Sequence, residues 1–230
     1  MKYLIKFVQE GGLRSYPIAA LEFPTSVEKA MTAEELTRDM ELPAAKQRLY
    51  GMLEFHMKRA AGWAYFNSLI ADGSTGAEIG VDLGDGAARF LEMNPGRVYL
   101  VDPWVPWDDA WSRPQDVMDQ RYRSVCSRFK DKECVTVKRQ SSAEFFQEVE
   151  PGSLDWIFID ADHNKEAVRE DLEGALMALK VGGHIGGDDL HSRPWDKDIG
   201  AALFEFRKAH KDEVNLLWNQ YDPYVVRKIK

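Results

Sequence analysis

The sequence contains few cysteines and no long apolar run. Its two cysteines, Cys126 and Cys134, lack metal-ligand spacing and are too few to crosslink a fold of this size, so we interpret them as reduced structural thiols. No apolar run approaches the roughly 20 residues that span a bilayer. Residues 1–6 also lack the hydrophobic region of a signal peptide. We therefore expect a soluble cytoplasmic protein.

Basic residues are outnumbered by acidic ones. The chain has 30 Lys and Arg against 38 Asp and Glu, which gives a formal net charge of -8. This balance argues against a nucleic-acid backbone as the main partner. With 230 residues and a hydrophobic content of 44%, the chain is long enough for one well-buried α/β domain with an appendage, but short for two full domains.

The dinucleotide-binding fingerprint is also missing. Residues 77–91 have the pattern of a strand, a glycine-rich turn and a helix, in which the backbone can approach a ligand closely. The fingerprint requires G-x-G-x-x-G, whereas here Gly84-Asp85-Gly86 is followed by Arg89 at the third glycine position. A nicotinamide dehydrogenase is therefore the weakest interpretation.

The most informative stretch, residues 153–191, predicts a strand, a helix and a second strand. The apolar run Leu154–Ile159 is typical of a strand buried on both faces. An amphipathic helix follows, with Asn164 as its N-cap and Gly182-Gly183 as its end, and the second strand begins at His184. Parallel strands of this kind end at the same edge of a sheet, where ligands bind. That edge gathers the candidate active-site residues Asp160, Asp162, His163, Asp188, Asp189 and His191.

Other strands and one loop add to this pattern. The strand Val98–Val101 ends in Asp102, whose carboxylate can accept hydrogen bonds from a ribose diol. Two closely spaced strands, at residues 214–218 and 224–229, predict an antiparallel pair that closes the sheet. The loop at residues 103–111 holds three tryptophans, which form either a lid or substrate wall, or a surface that packs against the N-terminal helices.

Residues 1–72 are interpreted as an N-terminal arm and helical cap, and residues 73–230 as the main domain. The first part contains a strand-like run at residues 3–8 and a helical region at residues 43–71, in which His56 is interpreted as a core histidine. The arm either packs on a neighbouring subunit of a homo-oligomer or is an ordinary extension.

Together these motifs resemble the class I S-adenosylmethionine-dependent methyltransferases, over roughly residues 75–210. Among them the sequence is most similar to the metal-dependent O-methyltransferases related to the catechol, caffeoyl-CoA and macrocin enzymes. The resemblance implies an α/β fold with a Rossmann-like, seven-stranded, mostly parallel sheet and an N-terminal helical cap. The motifs that carry it are Glu78-Ile79-Gly80 with Gly84 and Gly86, Asp102, Ser141-Ser142, Ile159 to His163, and Gly187-Asp188-Asp189.

The resemblance also implies a cofactor, S-adenosylmethionine, and a metal site. It assigns the methionine end of the cofactor to Glu78, Gly80 and Gly84, the ribose to Asp102, the adenine to Ser142, and a further contact to Asp160. Asp160, Asp188 and Asp189 match the metal ligands of the family. Crowded carboxylates repel one another unless they are protonated or bridged by a cation, and oxygen ligands suit Mg²⁺. The alternative role, capping the following helix, is favoured for Asp162 alone.

The sequence departs from the family at the general base. His163 falls three residues after Asp160, where the catechol and caffeoyl-CoA enzymes carry a lysine. We predict that His163 is the base, because an imidazole with an ordinary pKa of about 6.5 can accept a proton near neutral pH. The alternative for His163 is a helix cap or a contact that holds a carboxylate, and His191 is the competing base.

We therefore predict an S-adenosylmethionine-dependent O-methyltransferase that is assisted by a divalent cation, Mg²⁺. The predicted partner is a small molecule with an acceptor hydroxyl, such as a sugar or natural product, and not a nucleic acid or a membrane. The alternatives are a metal-independent methyltransferase, which would survive a chelator, and a non-catalytic cofactor-binding protein.

Overall fold

The computed structural model describes residues 4–9, 12–17, 57, 59–106, 112–190, 196–218 and 222–230. The chain divides into two compact units, residues 1–57 and 58–230. In the first unit, β1 (Leu4–Gln9) and β2 (Gly12–Pro17) form an antiparallel hairpin, which contains the strand predicted at residues 3–8. The predicted helical residues 43–56, with His56, lie outside the described residues.

The second unit is built on a seven-stranded sheet with the order β5-β4-β3-β6-β7-β9-β8. All neighbouring strands pair in parallel except β9, which is antiparallel to both β7 and β8. The predicted mostly parallel sheet and its closing antiparallel pair are thus confirmed. The strands are β3 (Thr75–Ile79), β4 (Arg97–Val101), β5 (Val135–Lys138), β6 (Leu154–Ile159), β7 (Leu179–Gly187), β8 (Val214–Trp218) and β9 (Tyr224–Lys228).

Helices cover both faces of this sheet. The N-cap predicted for α5 is confirmed, because the Asn164 side chain accepts a hydrogen bond from the Ala167 N–H. The predicted end of α5 at Gly182-Gly183 is wrong, since Leu179 already pairs with Leu154 as the first residue of β7. The helices are α1 (residues 59–67), α2 (Asp85–Leu91), α3 (Gln115–Phe129), α4 (Ser142–Glu148), α5 (Lys165–Ala178) and α6 (Asp196–Ala209). Among the described residues, none of these helices is long and apolar enough to cross a membrane.

The core has two apolar clusters, one on each face of the sheet. Because side chains alternate along a strand, Ile157 and Ile159 of β6 enter the cluster under α4, α5 and α6. Trp156 and Phe158 enter the cluster under α1, α2 and α3. Both faces of β6 are therefore buried, which is why its sequence is almost continuously apolar.

Glycines on the strands make room for aromatic rings of the second cluster. A Cβ atom on Gly76 would overlap the ring of Trp156, and one on Gly186 would overlap the ring of Phe66. Phe66 of α1 thus lies directly on the backbone of β7, and it is fully buried. The sequence suggested a boundary between residues 72 and 73, but residues 59–70 belong with the sheet, because α1 supplies part of its core.

A third glycine brings α1 into direct contact with the end of the chain. A Cβ atom on Gly62 would overlap the carbonyl of Asp222, at 2.2 Å, and would lie 2.8 Å from the ring of Pro223. Gly200, in the interior of α6, offers a contrast, since among the described residues a Cβ atom there would meet only Leu190, at 3.9 Å. The two helical glycines therefore differ in the space available to a side chain.

We expect Gly62→Ala and Gly200→Ala to change stability in opposite directions. Alanine favours a helix over glycine by roughly 0.5–1 kcal/mol, so Gly200→Ala should raise the melting temperature by a few degrees. In Gly62→Ala, overpacking against Asp222 should cost about 1–3 kcal/mol and outweigh that gain. Thermal unfolding of both variants beside the wild type measures the difference. A higher melting temperature for Gly62→Ala would show that α1 does not contact this backbone.

Candidate active site

The carboxyl ends of β3, β4, β6 and β7 meet at one edge of the sheet, where the glycine-rich loop crosses. Gly80 has φ 86° and Gly84 has φ 78°, which is the left-handed region that glycine adopts without strain. A Cβ atom on Gly80 would overlap the backbone carbonyl of Asp160. The loop after β3 therefore lies against the end of β6, so the predicted cofactor residues and the predicted metal ligands share one site.

The carboxylate of Asp102 ties together two loops of this edge. Its Oδ2 atom accepts hydrogen bonds from the backbone N–H groups of Val81, at 2.9 Å, and Asp82, at 3.0 Å. Its Oδ1 atom accepts one from the N–H of Trp104, at 2.6 Å. A carboxylate has about four acceptor positions, so Asp102 retains capacity for one more donor.

Trp104 is not exposed, as a lid or a substrate wall would be. Its side chain is fully buried and lies 5.1 Å from the ring of Tyr122 in α3. Its indole N–H donates to the carbonyl of Asp82 at 3.0 Å. Trp104 is thus part of the support beneath the glycine-rich loop. Trp107 and Trp111 lie outside the described residues.

Glu78, the predicted contact to the methionine end, is buried at the end of β3. Burial and the nearby charge of Asp160 raise the pKa of Glu78 well above its ordinary value, while a hydrogen bond from the Ala87 N–H opposes this shift. Among the described residues, its Oε2 atom has no hydrogen-bond partner. An unsatisfied buried oxygen is costly, so it indicates that this position receives a polar group from outside the chain.

Ser142, the predicted adenine neighbour, begins α4 after the N-cap Ser141. Its hydroxyl forms a hydrogen bond with the buried Asp171 of α5. Burial raises the pKa of Asp171 to about 6, and the bond to Ser142 opposes that shift. Sequence patterns did not indicate Asp171, because it lies at a buried position on the apolar face of α5, where such patterns predict core residues. The adenine contact of Ser142 stays a prediction.

Of the three predicted metal ligands, Asp160 and Asp189 come together with His163, whereas Asp188 belongs to a second group. The Nε2 atom of His163 lies 3.3 Å from Asp189 Oδ2 and 3.8 Å from Asp160 Oδ1. One ligand atom from each of Asp160, His163 and Asp189 lies within 4.8 Å of the other two. Burial alone would lower the pKa of His163, but the neighbouring carboxylates of Asp160 and Asp189 outweigh it and raise that pKa.

Asp188 sits deeper than its neighbours and is already bonded. Its Oδ1 atom accepts the backbone N–H of Asp189 at 3.0 Å, and Asp189 itself has a left-handed φ of 59°. Ligand atoms of Asp188, Asp189 and Asp222 form a second group within 4.8 Å. Burial and the charge of Asp160 raise the pKa of Asp188, although Arg59 opposes them.

Arg59 is a site residue that sequence reasoning missed. Its guanidinium donates to Asp188 Oδ2 through Nη2, and its Nη1 atom lies 3.8 Å from Asp189 Oδ1. The available signal was its spacing, since Arg59, Trp63 and Phe66 recur at helical intervals on one face of α1. The capping role predicted for Asp162 is wrong, because Asn164 is the N-cap of α5 and the Oδ1 atom of Asp162 accepts the Asn164 N–H in the turn before the helix. His191 lies outside the described residues.

Comparisons with known proteins agree with this arrangement. Residues 77–190 match the family model described as a methyltransferase domain. No curated protein matches the chain. A solved structure from Clostridium thermocellum, described as an rRNA methylase, aligns with a TM-score of 0.58 at 13% identity, over 75% of this chain and 96% of that one.

Two other solved structures show the same fold. The N-methyltransferase NodS from Bradyrhizobium japonicum WM9 aligns with a TM-score of 0.55 at 13% identity, over 77% of this chain and 98% of its own. A Streptococcus mutans protein described as a methyltransferase, solved in complex with SAH, aligns with a TM-score of 0.53 at 14% identity. The alignment covers 75% of this chain and 98% of that one. The family match, taken with this fold, identifies the chain as an S-adenosylmethionine-dependent methyltransferase.

Proposed function

We propose that the enzyme methylates a hydroxyl group of a small molecule, such as a sugar or natural product, with the help of a divalent cation. The observation that carries this proposal is the cluster of Asp160, His163 and Asp189, whose ligand atoms lie within 4.8 Å of one another. Gly80 of the glycine-rich loop lies against the backbone of Asp160. Methyl donor and acceptor would therefore meet at this cluster.

The loops at this edge supply the cofactor contacts in this proposal. The turn from Gly80 to Gly84 shapes the methionine end, where the unpartnered Oε2 atom of Glu78 suits the positively charged end of the cofactor. The free acceptor capacity of Asp102 takes the ribose hydroxyls. Ser142 lies beside the adenine, and the backbone of Asp160 borders the methyl group.

The donor set fits a divalent cation. Asp160 and Asp189 offer carboxylate oxygens, the ligands that Mg²⁺ prefers. Asp188, which directly precedes Asp189 in the sequence, offers a third carboxylate. Like charges this close favour a cation between them, because each carboxylate otherwise raises the pKa of the next. A bound cation would supply a Lewis acid that orients the acceptor hydroxyl and lowers its pKa.

His163 is the general base in this proposal. Its side chain is 29% exposed, and its Nε2 atom is buried beside the carboxylates of Asp160 and Asp189, which hold the ring in place. The imidazole takes the proton of the acceptor hydroxyl as the oxygen attacks the methyl carbon, and the protein aligns oxygen, carbon and sulfur. His191 remains the predicted competitor.

The chemistry of the site favours a small acceptor over a nucleic acid. One relative in fold is described as an rRNA methylase, and another is an N-methyltransferase. However, the acceptor edge presents several carboxylates and the whole chain carries a net charge of -8, which repels a phosphate backbone. The second candidate is metal-independent methylation of a nitrogen or carboxylate oxygen, in which Arg59 and His163 would balance the acidic cluster.

Asp102→Ala should weaken cofactor binding. S-adenosylhomocysteine should stabilise the wild type against heat while NAD does not, by about 2.7 kcal/mol at a hundredfold excess over Kd. The matched control is Asp155→Ala, which removes a carboxylate that accepts the Thr75 N–H at the opposite end of β3, at 2.8 Å. Both variants should melt earlier, but only Asp102→Ala should lose most of the S-adenosylhomocysteine shift. An unchanged shift would exclude Asp102 from the ribose site.

Methyl transfer should stop in EDTA and return with Mg²⁺. In Asp189→Asn, half-maximal activity should need on the order of tenfold to hundredfold more Mg²⁺, because a charged ligand is lost, while S-adenosylhomocysteine still binds. Asp155→Asn, at the far end of the sheet, should keep the wild-type Mg²⁺ requirement. Activity is measured with a panel of hydroxylated acceptors. Full turnover in EDTA would refute the metal-assisted reaction and favour the metal-independent candidate.

His163→Gln should lower kcat by a factor on the order of 10² to 10⁴, because the acceptor proton loses its base. Affinities for S-adenosylhomocysteine and Mn²⁺, measured by calorimetry, should stay near those of the wild type. A large loss of Mn²⁺ affinity would instead make His163 a metal ligand. Retention of most of kcat would assign it a capping or holding role and direct attention to His191.

A further inference from the structure

Arg59 lies at the acidic cluster but comes from a different part of the fold. The cluster belongs to the ends of β6 and β7, whereas Arg59 begins α1 on the neighbouring face of the sheet. Its guanidinium contacts Asp188 and approaches Asp189, whose side chains are only 1% and 18% exposed. Charged pairs with so little exposure interact strongly, because water screens them poorly.

The packing of α1 fixes where Arg59 can reach. One turn further along the helix, Trp63 is buried against Phe90 and Phe158, with ring centroids 5.7 Å and 4.4 Å away. Gly62 lies on the backbone of Asp222, whose carboxylate belongs to the same group as Asp188 and Asp189. The helix is thus held at the cluster by apolar contacts, independently of any charge on Arg59.

Both oxygens of Asp188 are already in use. Oδ1 accepts the N–H of Asp189, and Oδ2 accepts the guanidinium of Arg59. A divalent cation that binds Asp188 must therefore share or take an oxygen that already has a donor, and it must also approach a fixed positive charge. Arginine does not lose its proton in proteins, so this competition persists at every accessible pH.

We propose that Arg59 is the internal counter-cation of the acidic cluster and that a divalent cation competes with its guanidinium for Asp188 and Asp189. Arg59 therefore sets the cation affinity of the site, and it holds both carboxylates in place when no cation is bound. This inference rests on the proposed metal-assisted function, since it concerns the same carboxylates. Arg59 touches the predicted metal ligands and not the reacting atoms, so it is a positioning residue.

The test measures Mn²⁺ binding to the full chain in the absence of cofactor and acceptor. Binding is measured by calorimetry and by the electron paramagnetic resonance signal of free Mn²⁺. Arg59→Gln should bind Mn²⁺ at least about tenfold more tightly than the wild type. The reason is that the positive charge of Arg59 repels the ion, and its removal should lower the dissociation constant of Mn²⁺ by about that factor. Arg207→Gln removes the same charge from an exposed position in the last turn of α6 and should bind like the wild type. Arg59→Lys should lie between the two, since it keeps the charge but loses the forked geometry.

Each variant is first shown to be folded by its thermal transition and by binding of S-adenosylhomocysteine. Equal or weaker Mn²⁺ binding by Arg59→Gln would overturn the role of Arg59. Metal-assisted transfer would still stand in that case if the wild type binds Mn²⁺ and loses its activity in EDTA. Absence of Mn²⁺ binding in both proteins would overturn the counter-cation role and the metal-assisted function together.

Discussion

Repulsion between carboxylates at the carboxyl edge of the sheet is the constraint on which the site depends. Parallel strands bring Asp160, Asp188 and Asp189 to one place, where their charges cannot all be left without partners. The fold answers with a guanidinium from α1, an imidazole from the loop after β6 and a backbone N–H on Asp188. A raised pKa of Asp188 shows that these partners do not offset burial and the charge of Asp160 completely. The remaining negative charge is what the proposed cation would balance.

The position of α1 connects this electrostatic balance to the apolar core. Phe66 reaches the backbone of β7 only because Gly186 has no side chain, and the helix reaches Asp222 only because Gly62 has none. Both contacts set the height of α1 above the sheet and therefore the reach of Arg59. A change in packing some distance from the carboxylates can thus alter the charge balance at the site. In this fold the sheet supplies the acidic groups, and a helix held by aromatic packing supplies the opposing charge.

Much of this architecture could be predicted from sequence, because its signals are local. The apolar run of β6, the cap at Asn164 and the glycine-rich turn each follow from side-chain periodicity or backbone conformation. Parallel strands then place Asp160 beside Asp189 without any further information. Arg59 could not be predicted in the same way, because its partner Asp188 lies 129 positions away and nothing local marks the pair. The choice between the two roles of Trp104 could not be made from sequence for a similar reason, since its burial depends on α3 and on the carbonyl of Asp82.

The two halves of the site are held by different kinds of interaction, and this difference has consequences for function. On the cofactor side, Asp102 accepts three backbone N–H groups, so the loops keep their shape through bonds that need no ligand. On the acceptor side, side-chain charges set the geometry, and a bound cation would rearrange them. The cofactor half is therefore preorganised, whereas the acceptor half takes its final form only when its charges are balanced. In the proposed reaction, the methyl donor would bind whatever the state of the acidic cluster, and competition between Arg59 and a cation would decide when the acceptor oxygen is activated.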